Sequence, residues 1–143
     1  MSFEYYRMRK SRVLKRMKAG EVAICLKLNL ADSRVVEIAA MSGFDCLWTD
    51  LEHVPNDWSL IERQVLASKA YDVDLIVRVA KGSYSDMIKP LEMDATGIMV
   101  PHVMSVQDAM QIVRSTKFHP LGLRPLDGGN ADGAYTMLPV NEY

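Results

Sequence analysis

The feature that most constrains this chain is a repeated alternation. Short apolar runs end near residues 28, 50, 79 and 100, and a helical pattern follows each. The runs are V-A-I-C-L within residues 21–28, F-D-C-L-W-T at 44–49, L-I-V-R-V at 75–79 and G-I-M-V at 97–100. Parallel strands covered on both faces have this continuous apolar character. Strands alternating with helices imply βαβ units, and right-handed crossovers put the helices outside a parallel sheet. All the loops that leave the strand ends then share one rim.

The helices carry their own start signals. Asp32 is placed to cap a helix with Val35, Val36, Ile38, Ala39 and Ala40 inward, stopped by Ser42-Gly43. Pro55-Asn56-Asp57 turns the chain into a second helix with Leu60, Ile61, Val65, Leu66 and Ala70 on its apolar side. Ser83-x-x-Asp86 and Ser105-x-x-Asp108 are capping boxes, in which side chain and backbone satisfy each other's free hydrogen-bonding groups. The second of them opens a helix bearing Ala109, Met110, Ile112 and Val113. Ahead of the first strand, residues 7–19 read as an amphipathic basic helix, because residues 7–18 hold seven of the 17 Lys and Arg while Met8, Val13, Leu14 and Met17 recur near helical spacing. The chain thus divides into that helix, βα units over about 21–118 and a Gly/Pro-rich loop over 119–143, all within one domain.

Composition excludes some classes. At 143 residues, with 49% hydrophobic and 24% charged side chains, the chain has a globular make-up with room for a core. A net charge of −1 gives no global pull toward nucleic acid or a membrane surface. No apolar run approaches the roughly 18 residues of a membrane span. The N-terminus lacks the apolar centre of a secretory signal. Cys25 and Cys46 sit inside apolar runs without metal-ligand spacing, and read as reduced, buried thiols of a cytoplasmic protein. The glycines after His119 match no phosphate-binding fingerprint.

Chemistry concentrates at the strand ends. Asp50, Glu52 and His53 follow the second apolar run within four positions. Arg78 interrupts the third run, and a guanidinium there needs an anionic partner, such as Asp50, Glu52 or an anionic substrate. Its fork suits a carboxylate or an enolate oxygen. His53 can move protons near neutral pH. His102, after Pro101, is a weaker candidate. Glu92 reads on its own as a solvated charge ending a helix, and His119 as a surface residue. Lys27, near the end of the first strand, is the candidate nucleophile for a Schiff-base mechanism.

The stretches G-F-D-C-L-W-T-D-L-E-H-V-P-N-D, L-I-V-R-V, I-K-P-L-E-M-D-A-T-G-I-M-V-P-H-V and F-H-P-L-G-L-R-P-L resemble the HpcH/HpaI aldolase family, related to the citrate lyase β-subunit. The resemblance covers the chain from about residue 12, most specifically in D-x-E-H-x-P-N-D at residues 50–57. It implies a (β/α)8 TIM barrel of which this chain supplies the N-terminal helix and about the first four βα units. A complete barrel takes about 250 residues, so four units cannot close one.

The implied activity is a carbon–carbon lyase. It is a metal-dependent class II pyruvate aldolase that cleaves or forms a bond in a 4-hydroxy-2-oxo acid through a pyruvate enolate, in aromatic or sugar acid catabolism. The resemblance makes His53 the proton acceptor and Arg78 the holder of the pyruvate oxygens. It places Asp50 in the histidine network and Glu92 where an aspartate usually supports the histidine. It implies a divalent cation (Mg²⁺, Mn²⁺ or Co²⁺) whose Glu and Asp ligands lie beyond Tyr143, so no metal residue is assigned here. It also implies a homo-oligomer, trimer or hexamer, with no nucleic-acid or membrane partner. The competing expectations are an inactive fragment or assembly module, and the Lys27 Schiff-base aldolase.

Overall fold

The computed structural model describes residues 8–143. Four parallel strands form one sheet in sequential order: β1 (Cys25–Lys27), β2 (Cys46–Asp50), β3 (Asp74–Arg78) and β4 (Gly97–Met99). Helices α2 (Ser33–Met41), α3 (Trp58–Ala70) and α4 (Tyr84–Glu92) connect them, and α5 (Val106–Thr116) follows β4. A short helix, α1 (Arg12–Lys18), precedes the sheet, and a 3-10 segment, Ala131–Thr136, lies in the final stretch. These are four consecutive βα units, the architecture of a TIM-barrel half. No helix among the described residues is long and apolar enough to cross a membrane.

The caps form where the side chains allow them. Asp32 accepts from the Arg34 amide at 2.9 Å and Asp57 from the Leu60 amide at 2.7 Å. Ser83 and Asp86 complete a capping box. Ser105 accepts from the Asp108 amide, although the return bond of the expected second box goes elsewhere, since Asp108 accepts from the Met104 amide. Between sheet and helices lies one core, including Val36, Leu47, Ile61, Val65, Leu75, Val77 and Val79, each with no exposure. Burying such side chains is worth about 1.5–3 kcal/mol apiece. Strand side chains alternate, so Leu47, Thr49, Leu75 and Val77 point to the helices while Trp48, Asp50, Ile76 and Arg78 point to the opposite, inner face.

Several expectations need correction. The first strand is three residues long, shorter than the apolar run, and among the described residues it pairs with β2. The basic helix begins at Arg12, and residue 7 of the expected span is outside the described residues. It buries no residue; Leu14 and Met17 are exposed. Polar contacts hold it instead: Asp74 accepts from Ser11 Oγ and from the Arg12 and Val13 amides, and Arg16 reaches Asp45 at 2.8 Å. Ile38, Leu66 and Met110, expected inward, are exposed. Cys25 is exposed as well, and only Cys46 is buried.

Candidate active site

Parallel register sets the site. Asp50 and Arg78 are paired positions at the last step of β2 and β3, so their side chains leave the same inner face at the carboxyl rim. Arg78 Nε donates to Asp50 Oδ1 at 2.9 Å, and its Nη2 donates to Asp50 Oδ2. This two-point contact is the geometry in which guanidinium and carboxylate interact most strongly. The Asp50 carboxylate has no solvent exposure and Arg78 only 15%.

Asp50 does more than neutralise the arginine. Its Oδ1 also accepts from the amides of Glu52 (2.8 Å) and His53 (3.3 Å), which fixes the turn out of β2. Asn56 closes the loop by donating to the Asp50 carbonyl at 2.7 Å. Lys27 Nζ lies 3.5 Å from Asp50 Oδ2, and both Lys27 and Arg78 stand about 5 Å over the Trp48 ring. Burial by itself would raise the Asp50 carboxyl. The hydrogen bonds from Arg78 and from the Glu52 and His53 amides outweigh burial and hold it well below the usual carboxylate range.

Glu52 is the hub of the rim. The sequence offers it only as an alternative partner for Arg78, yet one carboxylate meets three groups. Glu52 Oε2 is 3.3 Å from Arg78 Nε and 3.6 Å from His53 Nε2, while Oε1 accepts from His102 Nε2 at 3.0 Å. His53 and Arg78 therefore lie on the same side of the sheet, both within 3.6 Å of one oxygen. His102 reaches Glu52 from the loop after β4 with a left-handed backbone (φ 53°), and Lys81 Nζ braces that loop at the His102 carbonyl, 2.7 Å away. Both imidazoles are about two-thirds exposed, so the rim is open to solvent.

Glu92 is not brought to this rim. It ends α4, which runs back against the strand direction, so it sits at the amino end of the sheet beside the charges of Asp132, Arg124 and Asp127. Burial first, then the Asp132 charge, raises its carboxyl above the ordinary value. Among the described residues no hydrogen bond or ion pair joins it to His53. That same end carries a cleft of about 710 Å³, lined in part by Arg9, Asp74, Thr96, Arg124, Asp132 and Tyr143. A smaller cavity, of about 100 Å³, lies beside His102 and Lys81 and reaches Met87 and Ile112.

Lys27 makes contacts suited to its ammonium form, the ion pair with Asp50 and the position over Trp48, whereas a Schiff-base nucleophile must present a neutral amine. A divalent cation does not fit this chain's residues alone. Among the described residues no three His, Cys, Asp or Glu side chains form a donor set, and both rim carboxylates are engaged by cationic side chains.

Comparison with known proteins finds a group of relatives. The chain is 35% identical over 114 residues to a hydroxypyruvate/pyruvate aldolase of Pseudomonas aeruginosa, covering 80% of this chain and 42% of that protein. It is 34% identical over 119 residues to a 2-keto-3-deoxy-L-rhamnonate aldolase of Escherichia coli, covering 83% and 45%. The crystal structure of an HpcH/HpaI aldolase/citrate lyase family protein from Burkholderia cenocepacia superposes with a TM-score of 0.83 at 28% identity, over 93% of this chain and 55% of that one. The chain thus spans somewhat less than half the length of the curated relatives it matches. Residues 24–139, from the edge strand through the rim to the final loop, match the family model itself, and the chain belongs to the HpcH/HpaI aldolase/citrate lyase family.

Proposed function

We propose that this chain provides the enolate-handling part of an aldolase acting on a 4-hydroxy-2-oxo acid, with Arg78 and His53 as its working groups. The observation that carries the reading is the rim geometry, a guanidinium and an imidazole within 3.6 Å of the same Glu52 oxygen. A substrate oxygen that replaced this carboxylate oxygen would touch both.

The chemistry then follows from charge. In the cleavage direction the imidazole takes the proton of the C4 hydroxyl, the C3–C4 bond breaks, and the electron pair delocalises onto the former C2 carbonyl oxygen as an enolate. The other product leaves as an aldehyde, and a proton delivered to C3 gives pyruvate. Arg78 faces the oxygen on which negative charge develops, and removing such a donor typically costs about 2.7–4 kcal/mol of barrier. Asp50 keeps the guanidinium in place. A divalent cation, which the family resemblance implies, would take its ligands from outside this chain, and no step is assigned to it. Association into a homo-oligomer is part of the same reading, supported by exposed Val106, Met110, Leu121 and Leu123 beside α5.

A second reading is favoured by the ion pairs at the rim. With Asp50 and Glu52 both engaged by cationic side chains, the rim can hold a 2-oxo acid without turning it over. Two measurements separate the readings. Trp48 lies under Arg78, so pyruvate binding in a Trp58→Phe background should change the remaining indole fluorescence. Aldol cleavage with and without added Mn²⁺ reports turnover. Binding lost in Arg78→Ala, together with turnover reduced roughly 10²–10⁴-fold in His53→Ala, is expected for the aldolase. Binding without turnover supports the second reading. Unchanged binding in Arg78→Ala would remove the assignment, and covalent trapping at Lys27 by borohydride with pyruvate would replace it.

A further inference from the structure

The loop after β4 is built around a backbone shape that residues other than glycine rarely take. His102 has φ 53°. Such a residue persists only where its neighbours hold it, and it is found most often where a site needs one side chain aimed. The holders are visible here. Pro101 fixes the backbone just before it. Lys81 Nζ donates to the His102 carbonyl at 2.7 Å and lies 3.5 Å from Asp108 Oδ2, and that same oxygen accepts from the Met104 amide at 2.9 Å. A lysine from the loop after β3 and an aspartate in the first turn of α5 thus grip the turn from both sides. What the grip delivers is one contact, His102 Nε2 to Glu52 Oε1 at 3.0 Å.

We propose that His102 is a positioning residue: it retains the Glu52 carboxylate when an entering 2-oxo acid takes Arg78, so that Glu52 gives way without leaving the rim. This rests on the rim being a 2-oxo acid site. Asp50 fixes the Glu52 amide, but the side chain beyond it is long and flexible, and its carboxylate goes where its partners pull it. Of the three groups around that carboxylate, His102 makes the hydrogen bond, while Arg78 Nε at 3.3 Å and His53 Nε2 at 3.6 Å stand at ion-pair range. A carboxylate only accepts, so the ring nitrogen that faces it carries the hydrogen. Oε1 is thereby a pivot. A substrate oxygen can take the guanidinium while Oε2 turns away and Oε1 stays. With His102 removed, the strongest partner left to Glu52 is the guanidinium itself, which the carboxylate then shields from the substrate.

Both partners belong to loops at the carboxyl rim, the face on which TIM barrels carry their active sites. The contact therefore needs no open strand edge, and strands laid beside β1 or β4 to close a barrel leave that face in place. It also joins the loop after β4 to the loop after β2 across β3, so the setting of the Arg78 end of the site depends on a turn two strands away.

The test is a double-mutant cycle in the intact chain, read as pyruvate binding through Trp48 fluorescence in the Trp58→Phe background. His102→Ala should weaken binding about 3–10-fold, the span expected for one partly exposed hydrogen bond to a charged group. His102→Gln, whose amide donates from nearly the same place, should restore most of the loss. In Glu52→Ala the further change His102→Ala should have no effect, because no carboxylate is left to hold. An effect that persists at full size without Glu52, or no effect with Glu52 present, would overturn the proposal. A wild-type chain that binds no pyruvate would instead overturn the 2-oxo acid reading, and the proposed use of the contact with it. The contact itself has a readout that needs no ligand. The chain has three histidines, so nitrogen-15 imidazole spectra resolve them, and His102 is identified by the signal missing in His102→Gln. It should show the Nε2–H form with slowed exchange of the ring proton, and lose that signature in Glu52→Ala. Identical spectra with and without Glu52 would refute the proposal whatever pyruvate does.

Discussion

Replacing Asp50 by alanine should be among the most damaging single changes at the rim, and its cost can be worked from the contacts. The side chain has no exposure and accepts from two Arg78 nitrogens and from the amides of Glu52 and His53, with Lys27 3.5 Å away. Removing one partner of a buried ion pair typically costs about 3–5 kcal/mol, because the other charge is left without compensation. Arg78 is 15% exposed and retains Glu52 at 3.3 Å, which pulls the figure to the lower end. The loss of two turn amide bonds, about 0.5–1.5 kcal/mol each, pushes it back up. The expected loss is about 3–4 kcal/mol, a large part of the roughly 5–15 kcal/mol that holds a domain folded. For a chain of this size that lowers the melting temperature by about 6–16 °C.

Acid adds a second, independent reading. The folded-state Asp50 carboxyl is held below its unfolded value, so its contribution is complete above the unfolded value near 4 and is lost as pH falls toward the folded one. Between pH 7 and pH 3 the gap between wild type and Asp50→Ala should narrow by about 1 kcal/mol, since the unfolded carboxyl, near 3.9, is protonated over that interval at about 1.4 kcal/mol per unit. Urea unfolding of both proteins at the two pH values measures it. A loss under about 1 kcal/mol at pH 7, or a gap that widens in acid, would refute the claim that this carboxylate is charged and paired in the fold.

Three further changes probe other parts of the chain. Thr49→Val removes the hydroxyl that donates to Gln64 Oε1 at 2.6 Å, and leaves a fully buried amide without that bond; denaturant unfolding should show a loss of about 1–3 kcal/mol. Gly122→Ala would place a methyl 2.2 Å from the Lys117 carbonyl oxygen and 2.6 Å from that of Val113, backbone atoms at the end of α5 that cannot swing away. A thermal melt should show at least about 2 kcal/mol of destabilisation, and an unchanged melt would mean the loop does not seat there. The Tyr143 phenol, raised to about 12 by burial and then by its bond to Asp132, should titrate late in a difference spectrum against Tyr143→Phe, and earlier in Asp132→Asn.

What the sequence carries most faithfully is local. Asp32, Asp57, Ser83 and Ser105 cap their helices because each cap needs only a side chain and an amide two or three residues away. The βα alternation is legible for a similar reason, since apolar runs and caps mark where the four strands and the helices after them fall. Burial of individual helix faces is less legible, because periodicity names a face without naming what covers it. Leu14 and Met17 share an apolar spacing, yet α1 docks through charges on Asp74 and Asp45 that sit more than 25 positions away. Glu52 and His102 meet only because β2, β3 and β4 end on one rim, and nothing in the fifty residues between them signals it. Glu92 illustrates the reverse: the resemblance gives it a place beside His53, but the direction of α4 carries it to the other end of the sheet.

The rim is electrically balanced before any ligand arrives, with Lys27 and Arg78 against Asp50 and Glu52. An anionic 2-oxo acid therefore gains little from the overall field and must displace one carboxylate to reach the guanidinium. Asp50 cannot be that carboxylate, because it is inaccessible and bonded to the turn amides as well as to Arg78. Glu52 can, since it is 14% exposed and only ion-pairs with Arg78 Nε at 3.3 Å, the hydrogen of that nitrogen being donated to Asp50. Swung off Arg78, the carboxylate can keep its contacts with the imidazoles, His53 Nε2 at 3.6 Å and His102 Nε2 at 3.0 Å. The same carboxylate would then exclude water from Arg78 in the empty state and support the proton acceptor in the filled one. Glu52→Gln separates the two roles, because the amide keeps the shape and loses the charge: affinity for pyruvate should rise while the rate of proton abstraction falls, and a parallel change in both would show that Glu52 does not move.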